Sequence, residues 1–463
     1  MPELGTPERP LAVAIVGAGP SGFYAAEALL KAPGVTVRVD LFDRLPTPFG
    51  LVRGGVAPDH QKIKSVAAVY EKTAADPRVR FFGAVKLGRD LTAAELIARH
   101  DAVIYAVGCE SDRHMEIPGE HLAGSHSATE FVGWYNGHSD YCGRVFDLST
   151  DAVAVVGVGN VAMDVTRILA RDAEDLAKTD IACYALEALR QSKVRTVWLL
   201  GRRGPAEAAY SLAEIREIAE LTAADLVVDP VEAAVDEASV VDAAAKKKTE
   251  YVQEHAKKGE GTKERKVRLR FRVSPVELSG ENGRVSAIRI KKNKLVSDGK
   301  GGVQAVGTGI FETIKVGLVL RSVGYRGVPL PGVPFDEKSG HIPHEAGRVV
   351  PSAGAPALPG QYVVGWAKRG PSGLIGTNRA DAVETVQSLL ADLTSGSLPA
   401  AADASLEATF RLLAEKKIRA LSFADWQKLD ALEKAAGAKA GKIREKFTSV
   451  GDMLAALSLP TAT

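Results

Sequence analysis

Only three cysteines occur in 463 residues, Cys109, Cys142 and Cys183, and no two of them form a CxxC pair. Their spacing excludes a disulfide framework, a dithiol redox centre and a cysteine-based metal site, so a reducing, cytoplasmic setting is expected and no metal ion. No stretch approaches the roughly 18 to 20 apolar residues of a membrane span, which argues against membrane insertion. The opening residues MPELGTPERP lack the basic start and apolar core of an export signal. Net charge is also low, at +2, but it is unevenly spread: Lys246 to Arg272 holds eleven Lys or Arg against four Glu, a local net of +7. Such a run suits an acidic partner, or is simply a solvated face. No base-reading motif accompanies it, so nucleic acid is not an expected ligand.

What is present is a chain long enough for two or more domains, with 46% hydrophobic and 25% charged residues, close to globular averages. An apolar strand, Leu11 to Val16, runs into GAGPSG (Gly17 to Gly22), an apolar-periodic helix from Phe23, and a second strand, Val35 to Phe42, that ends at Asp43. The same grammar returns 140 positions later. Ala152 to Val156 leads into GVGNVAMDVTRILA, and the strand Thr196 to Leu200 ends in Gly201-Arg202-Arg203. Two glycine-stopped strands, Asp101 to Gly108 and Lys315 to Gly324, read as crossings between domains. The expected class is therefore α/β, with two Rossmann-like dinucleotide-binding domains, the second inserted into the first. The boundaries are 1–110, 111–324 and 325–463. Residues 225–290, β-rich and charged around the basic run, read as an insertion within the second domain, and the chain beyond Ala380 as helices.

In GxGxxG the first glycine makes a tight turn, the second lets backbone approach a pyrophosphate, and the third lets the helix pack on its strand. Gly17, Gly19 and Gly22 meet all three requirements, and Asp43, 21 positions beyond Gly22, suits a ribose hydroxyl. Gly157, Gly159 and Ala162 repeat the turn, but Arg202 and Arg203 replace the acid. A carboxylate there repels the 2′-phosphate of NADP, whereas guanidinium groups grip it, so NADP(H) is favoured over NAD. FAD at the first site and NADPH at the second would let a flavin take an electron pair and release single electrons. Gly365, Gly370, Gly373 and Gly376 around Trp366 are read as backbone freed to approach a flat ring.

Taken together, GAGPSGFYAAEALL, DRLPTPFGLVRGGVAPDHQKIK, YAVGCESDR, GNVAMDVTRIL, LLGRRGPAEAAYSLAEIRE, RSVGYRG and VGWAKRGPSGLIGTN resemble the adrenodoxin reductase type of ferredoxin–NADP reductase over essentially the whole chain. The resemblance implies an FAD-dependent NADPH:ferredoxin oxidoreductase whose partner is an acidic iron–sulfur ferredoxin. For FAD it implies Ala18, Asp43, Leu51 and Val85, with Trp366, Gly373, Leu374 and Ile375 around the isoalloxazine. For NADP it implies Val158, Gly159, Asn160 and Val161 under the pyrophosphate, Arg202 and Arg203 on the 2′-phosphate, Glu214 and Gly373 near the nicotinamide, and Arg113 nearby. His60, with Glu214 or Glu217, is implied as a polar neighbour of the flavin and a candidate catalytic group. From the residues alone, His60 equally suits a satisfied loop histidine, and Glu214 and Glu217 a solvated helix face. Val158 departs from the polar residue common in the family, which removes a side-chain contact.

A thioredoxin reductase-like enzyme would need a redox CxxC, and an electron-input subunit like that of glutamate synthase would need cysteine clusters. Neither feature is present. A non-catalytic NADPH-sensing module remains open at this stage.

Overall fold

The computed structural model describes residues 3–373 and 375–458. Among them, two parallel-based sheets divide the chain. In the first, Leu11–Val16 lies centrally between Val37–Phe42 and Ala102–Tyr105, with Val79–Phe82 outside the former and Gln361–Val363 beside the latter. All six residues of Leu11–Val16 are buried, as expected of a parallel strand covered on both faces. Helix Pro20–Leu30 packs one face with helix Thr377–Thr394, so residues from opposite ends of the sequence close one core.

The second sheet runs in the order Ser125–Ser127, Leu318–Arg321, Ala152–Val156, Thr196–Leu200, Arg265–Arg270, Ala224–Val228. It begins and ends inside the first sheet's sequence, which makes it an insertion. Ser111–Asp112 pairs antiparallel with Tyr325–Arg326 where the chain leaves and returns. One face of Ala152–Val156 sends Val153 and Val155 into a helical core. The other sends Ala154 and Val156 against Val273, Ile288, Ile290 and Ile314 of a three-stranded antiparallel sheet, Val273–Glu281, Arg284–Ser297 and Val303–Lys315. That small sheet replaces the second helical layer.

The expected insertion at 225–290 is corrected accordingly. Ala224–Val228 and Arg265–Arg270 belong to the nucleotide sheet itself, and only the segment from Val273 onward is additional. A strand reading RKVRLR tolerates its charges because Val267 and Leu269 turn inward while Arg268 and Arg270 lie over Trp198, 5.5 and 5.9 Å from its ring centroid. Their charges meet Glu260 and the Glu232–Glu312 pair. Within Lys246 to Arg272, Lys263 and Lys266 pair with Asp225, and Arg265 and Arg272 bond backbone carbonyls. Lys247 and Lys257 alone in the run have no partner among the described residues. Five of the eleven cations, Lys246, Lys263, Lys266, Arg268 and Arg270, lie against carboxylates, so the run is neutralised only in part.

Candidate functional site: two glycine turns and a carboxylate ring

Each glycine of the first turn has a separate structural reason. A Cβ on Gly17, at φ +113°, would stand 2.4 Å from the Ala106 carbonyl oxygen, and one on Gly22 would stand 2.0 Å from that of Gly17. At Gly19 the nearest atom is the Gly50 Cα, at 3.8 Å, so the middle position is open. Helix Pro20–Leu30 has no side-chain cap and no acid in its first turn, which leaves its N–H groups free for an anion. Asp43 accepts hydrogen bonds from the backbone N–H of Ala18 (2.9 Å) and of Leu45 (2.9 Å), and so ties the turn to the end of the second strand. Burial pushes its carboxyl up to about 6 against those two bonds.

Leu51 opens a short helix beside this turn with 41% of its surface exposed, while Val85 is buried and donates its N–H to the Asp43 carbonyl. The Trp366 indole lies 5.4 Å from the Tyr325 ring, and its buried Nε1–H has no acceptor among the described residues. Gly365, Gly370 and Gly373 all have positive φ, but a Cβ on each would strike Ser21, His341 or Thr377. Glycine is thus required for the loop to close on itself at these three positions, and of the four, Gly376 is the one with open space at its Cβ. Ile375 packs on the core of the first sheet, and Leu374 lies outside the described residues.

The second turn repeats the first. A Cβ on Gly157 (φ +120°) would stand 2.2 Å from the Ser322 carbonyl oxygen, nothing lies within 4 Å of one on Gly159, and Ala162 is fully buried. The helix Asn160–Ala170 again lacks a side-chain cap and an acid in its first turn. Val158 packs its side chain toward Gly201, and its carbonyl accepts N–H groups from Ala209 and Tyr210. The Asn160 side-chain oxygen accepts from the N–H of Ser211, so the loop after the arginines is laced onto the turn, with Val161 packed on the core beneath. Arg202 and Arg203 stand at the end of Thr196–Leu200, and neither side chain has a hydrogen-bond or ion-pair partner among the described residues. Arg113, just past the crossing strand Ser111–Asp112, donates its backbone N–H to the Gly324 carbonyl (2.9 Å) and lays its side chain beside Gly324.

His60, Glu214 and Glu217 do come together, around a residue that its sequence context does not single out. Arg167, 1% exposed, reaches Asp59 through two nitrogens (2.7 and 3.0 Å), Asp164 at 2.7 Å, and Glu214 and Glu217 at 3.3 Å each. His60 Nε2 bonds Glu217 at 2.8 Å, and its Nδ1 stands 3.6 Å from Asp164. His60, Glu214 and Glu217 are close enough to bracket an ion, yet the Arg167 guanidinium already lies against both glutamates. Burial, reinforced by Asp164, raises Glu214 to about 7 despite Arg167. Burial raises Asp164 as well, whereas at Asp59 burial, the largest single influence, is outweighed by the Arg167 hydrogen bond together with the charges of Arg167, His60 and Arg171, which hold the carboxyl below its usual range. The one available signal is an Arg on the apolar face of NVAMDVTRILA, three positions after Asp164. Asp59 and His60 come from the first sheet's lobe, so the ring lies where the two lobes meet.

Two open glycine turns, an orphaned indole N–H and unpaired arginines fit a two-nucleotide oxidoreductase. Comparison with known proteins agrees. The profile of the NAD(P)-binding Rossmann-like domain matches residues 15–82. NADPH-ferredoxin reductase FprA of Mycobacterium tuberculosis is 46% identical over 457 residues, covering 96% of this chain and 99% of that protein. The mitochondrial NADPH:adrenodoxin oxidoreductase of Arabidopsis thaliana is 43% identical over 467 residues, covering 97% and 95%. A solved structure of Mycobacterium tuberculosis FprA in complex with NADPH superposes with a TM-score of 0.91 at 45% identity, covering 97% of this chain and all of that one. The chain belongs to the adrenodoxin reductase-type ferredoxin–NADP reductase family.

Proposed function

We infer that this protein is an NADPH:ferredoxin oxidoreductase that carries FAD on its first lobe and takes NADPH on its second. When bound, FAD accepts the electron pair of NADPH and releases it one electron at a time to a ferredoxin. The observation that carries the reading is the contrast at the two second-strand ends: an acid tied to the first turn, and two unpartnered arginines beside the second.

In this reading residues 1–110 and 325–463 form the FAD lobe and 111–324 the NADP lobe. The N-termini of Pro20–Leu30 and Asn160–Ala170 face the two pyrophosphates. Asp43 keeps lone pairs for a ribose hydroxyl, and Arg202 and Arg203 take the 2′-phosphate. Hydride transfer needs no dedicated acid or base, so the ring of His60, Glu214, Glu217 and Asp164 around Arg167 has a positioning role. It fixes the junction of the lobes, and Glu214, raised to about 7, holds a proton close to neutral pH. Three free cysteines support a cytoplasmic placement. No described helix is long and apolar enough to cross a membrane.

Anaerobic stopped-flow mixing of the yellow holoprotein with NADPH or NADH, followed by an acidic ferredoxin, tests this. Flavin bleaching that is fast with NADPH, slower by at least about tenfold with NADH, and reversed by ferredoxin is expected. Equal rates with the two coenzymes would contradict the assignment of the arginines.

A further inference from the structure

The arginine pair opens onto a cavity of about 610 Å³ whose far wall belongs to the three-stranded sheet. Three cations line it, Arg202, Arg203 and Lys291, against a single carboxylate, Glu116. Like the two arginines, the Lys291 ammonium has no hydrogen-bond or ion-pair partner among the described residues. Three unpaired positive charges around one cavity raise its potential and destabilise it until an anion enters.

The sheet is shaped to bring Lys291 there. On the strand Arg284–Ser297, Ile288 and Ile290 turn to the core, and then Asn293 and Leu295 do, so the inward phase slips by one residue. The slip coincides with a bulge: Lys291 pairs with Phe311 and Asn293 with Gly307, which leaves Thr308 to Ile310 opposite Lys292 alone. Bulges re-aim side chains next to functional sites. Here Asn293, 6% exposed, turns inward and donates its amide to the Arg202 carbonyl (3.0 Å) and to Ser274 Oγ (2.8 Å). The N–H of Arg272 bonds the Arg203 carbonyl, and that of Val273 bonds the Gly201 carbonyl. The backbone carrying both arginines is thereby fastened to the small sheet, with Lys291 two positions from the fastening residue.

We propose that Lys291 is a third cationic holder of the coenzyme's 2′-phosphate, so that the small inserted sheet, and not the nucleotide fold alone, sets the preference for NADPH. This rests on the reading of Arg202 and Arg203 as the 2′-phosphate site. Lys291 acts on a phosphate that takes no part in the chemistry, so its removal changes affinity and leaves the hydride step alone.

The test is titration calorimetry of holoprotein with adenosine 2′,5′-bisphosphate and with ADP, alongside steady-state kinetics. Lys291→Met keeps the aliphatic stem that lies over Gly307 and removes the charge. It is expected to weaken the bisphosphate, and to raise KM for NADPH, by about tenfold, with ADP affinity, NADH kinetics and kcat within about twofold of the parent. Lys291→Arg should retain most of the bisphosphate affinity; if it behaves like the methionine variant, stem packing and not charge is responsible and the proposal falls. If Arg202→Ala/Arg203→Ala loses the bisphosphate but Lys291→Met does not, the proposal also fails while the arginine site stands. If the arginine variant does not distinguish bisphosphate from ADP, the site itself is misplaced.

Discussion

The two glycine turns, at 17–22 and 157–162, are built on the same backbone plan and differ in what closes them. In both, the first glycine is forced by a carbonyl oxygen within 2.4 Å of where a Cβ would stand, and the middle one faces open space or a glycine. The helix N-terminus behind each is uncapped by any side chain. At the end of the next strand, however, the first lobe places Asp43, whose two backbone hydrogen bonds pull it into the turn, and the second places Arg202 and Arg203, whose side chains bond to nothing described. In the proposed reading the shared backbone holds a dinucleotide at both turns, and the side chains at the strand ends, joined on the second lobe by Lys291 across the cavity, select which one.

The sharpest way to break that parallel is to separate the glycine that folds from the glycine that binds. Gly157→Ala puts a Cβ at φ +120° against the Ser322 carbonyl and should cost about 3 kcal/mol or more of second-lobe stability, read as a lowered denaturation midpoint. Gly159→Ala meets no atom within 4 Å, so stability should stay within about 0.5 kcal/mol while NADPH affinity drops. Equal losses of stability would refute the division of labour. Next in size is the strand end itself. Arg202→Ala/Arg203→Ala should lower kcat/KM for NADPH by about 100-fold, as expected for two charge-assisted contacts, with NADH changed by less than about twofold.

The elements legible in the sequence are those whose parts follow one another along a single strand–helix–strand unit: both glycine turns, the strand end at Asp43 after the first, the strand end at Arg202 and Arg203 after the second. What escapes is assembled at long range. Arg167 meets Asp59 across 108 positions, and nothing near either residue announces the other. Lys291 reads as one more lysine on a charged strand, and only the folded sheet, with its register shift where Thr308 to Ile310 face Lys292, places it on the wall of the arginine cavity. Arg265–Arg270 reads as part of an insertion because its charges hide a period-2 pattern, with Val267 and Leu269 inward and arginines outward over Trp198. The glycines around Trp366 mark their loop in the sequence, but the positive φ and close packing of Gly365, Gly370 and Gly373 against Ser21, His341 and Thr377 do not show there.

The smallest expected effect sharpens the same comparison through pH. Burial raises Asp43 to about 6, above the roughly 3.9 of a carboxyl in an unfolded chain, so between those values the folded protein binds more protons than the unfolded one. Stability contributed by this group is therefore greatest below pH 4 and falls as pH rises to 6. Asp43→Asn should flatten that part of the curve, by about 1 kcal/mol after allowance for solvent near the half-buried carboxylate. Glu214, raised to about 7, carries the same sign over a window reaching to neutral pH, and Glu214→Gln should remove the upper portion. The arginine pair has no carboxyl to supply such a slope. The Arg202→Ala/Arg203→Ala variant should then keep the parent's profile in thermal midpoints taken from pH 4 to 8, and a flattened profile in that variant would mean that the two strand ends are electrostatically linked after all.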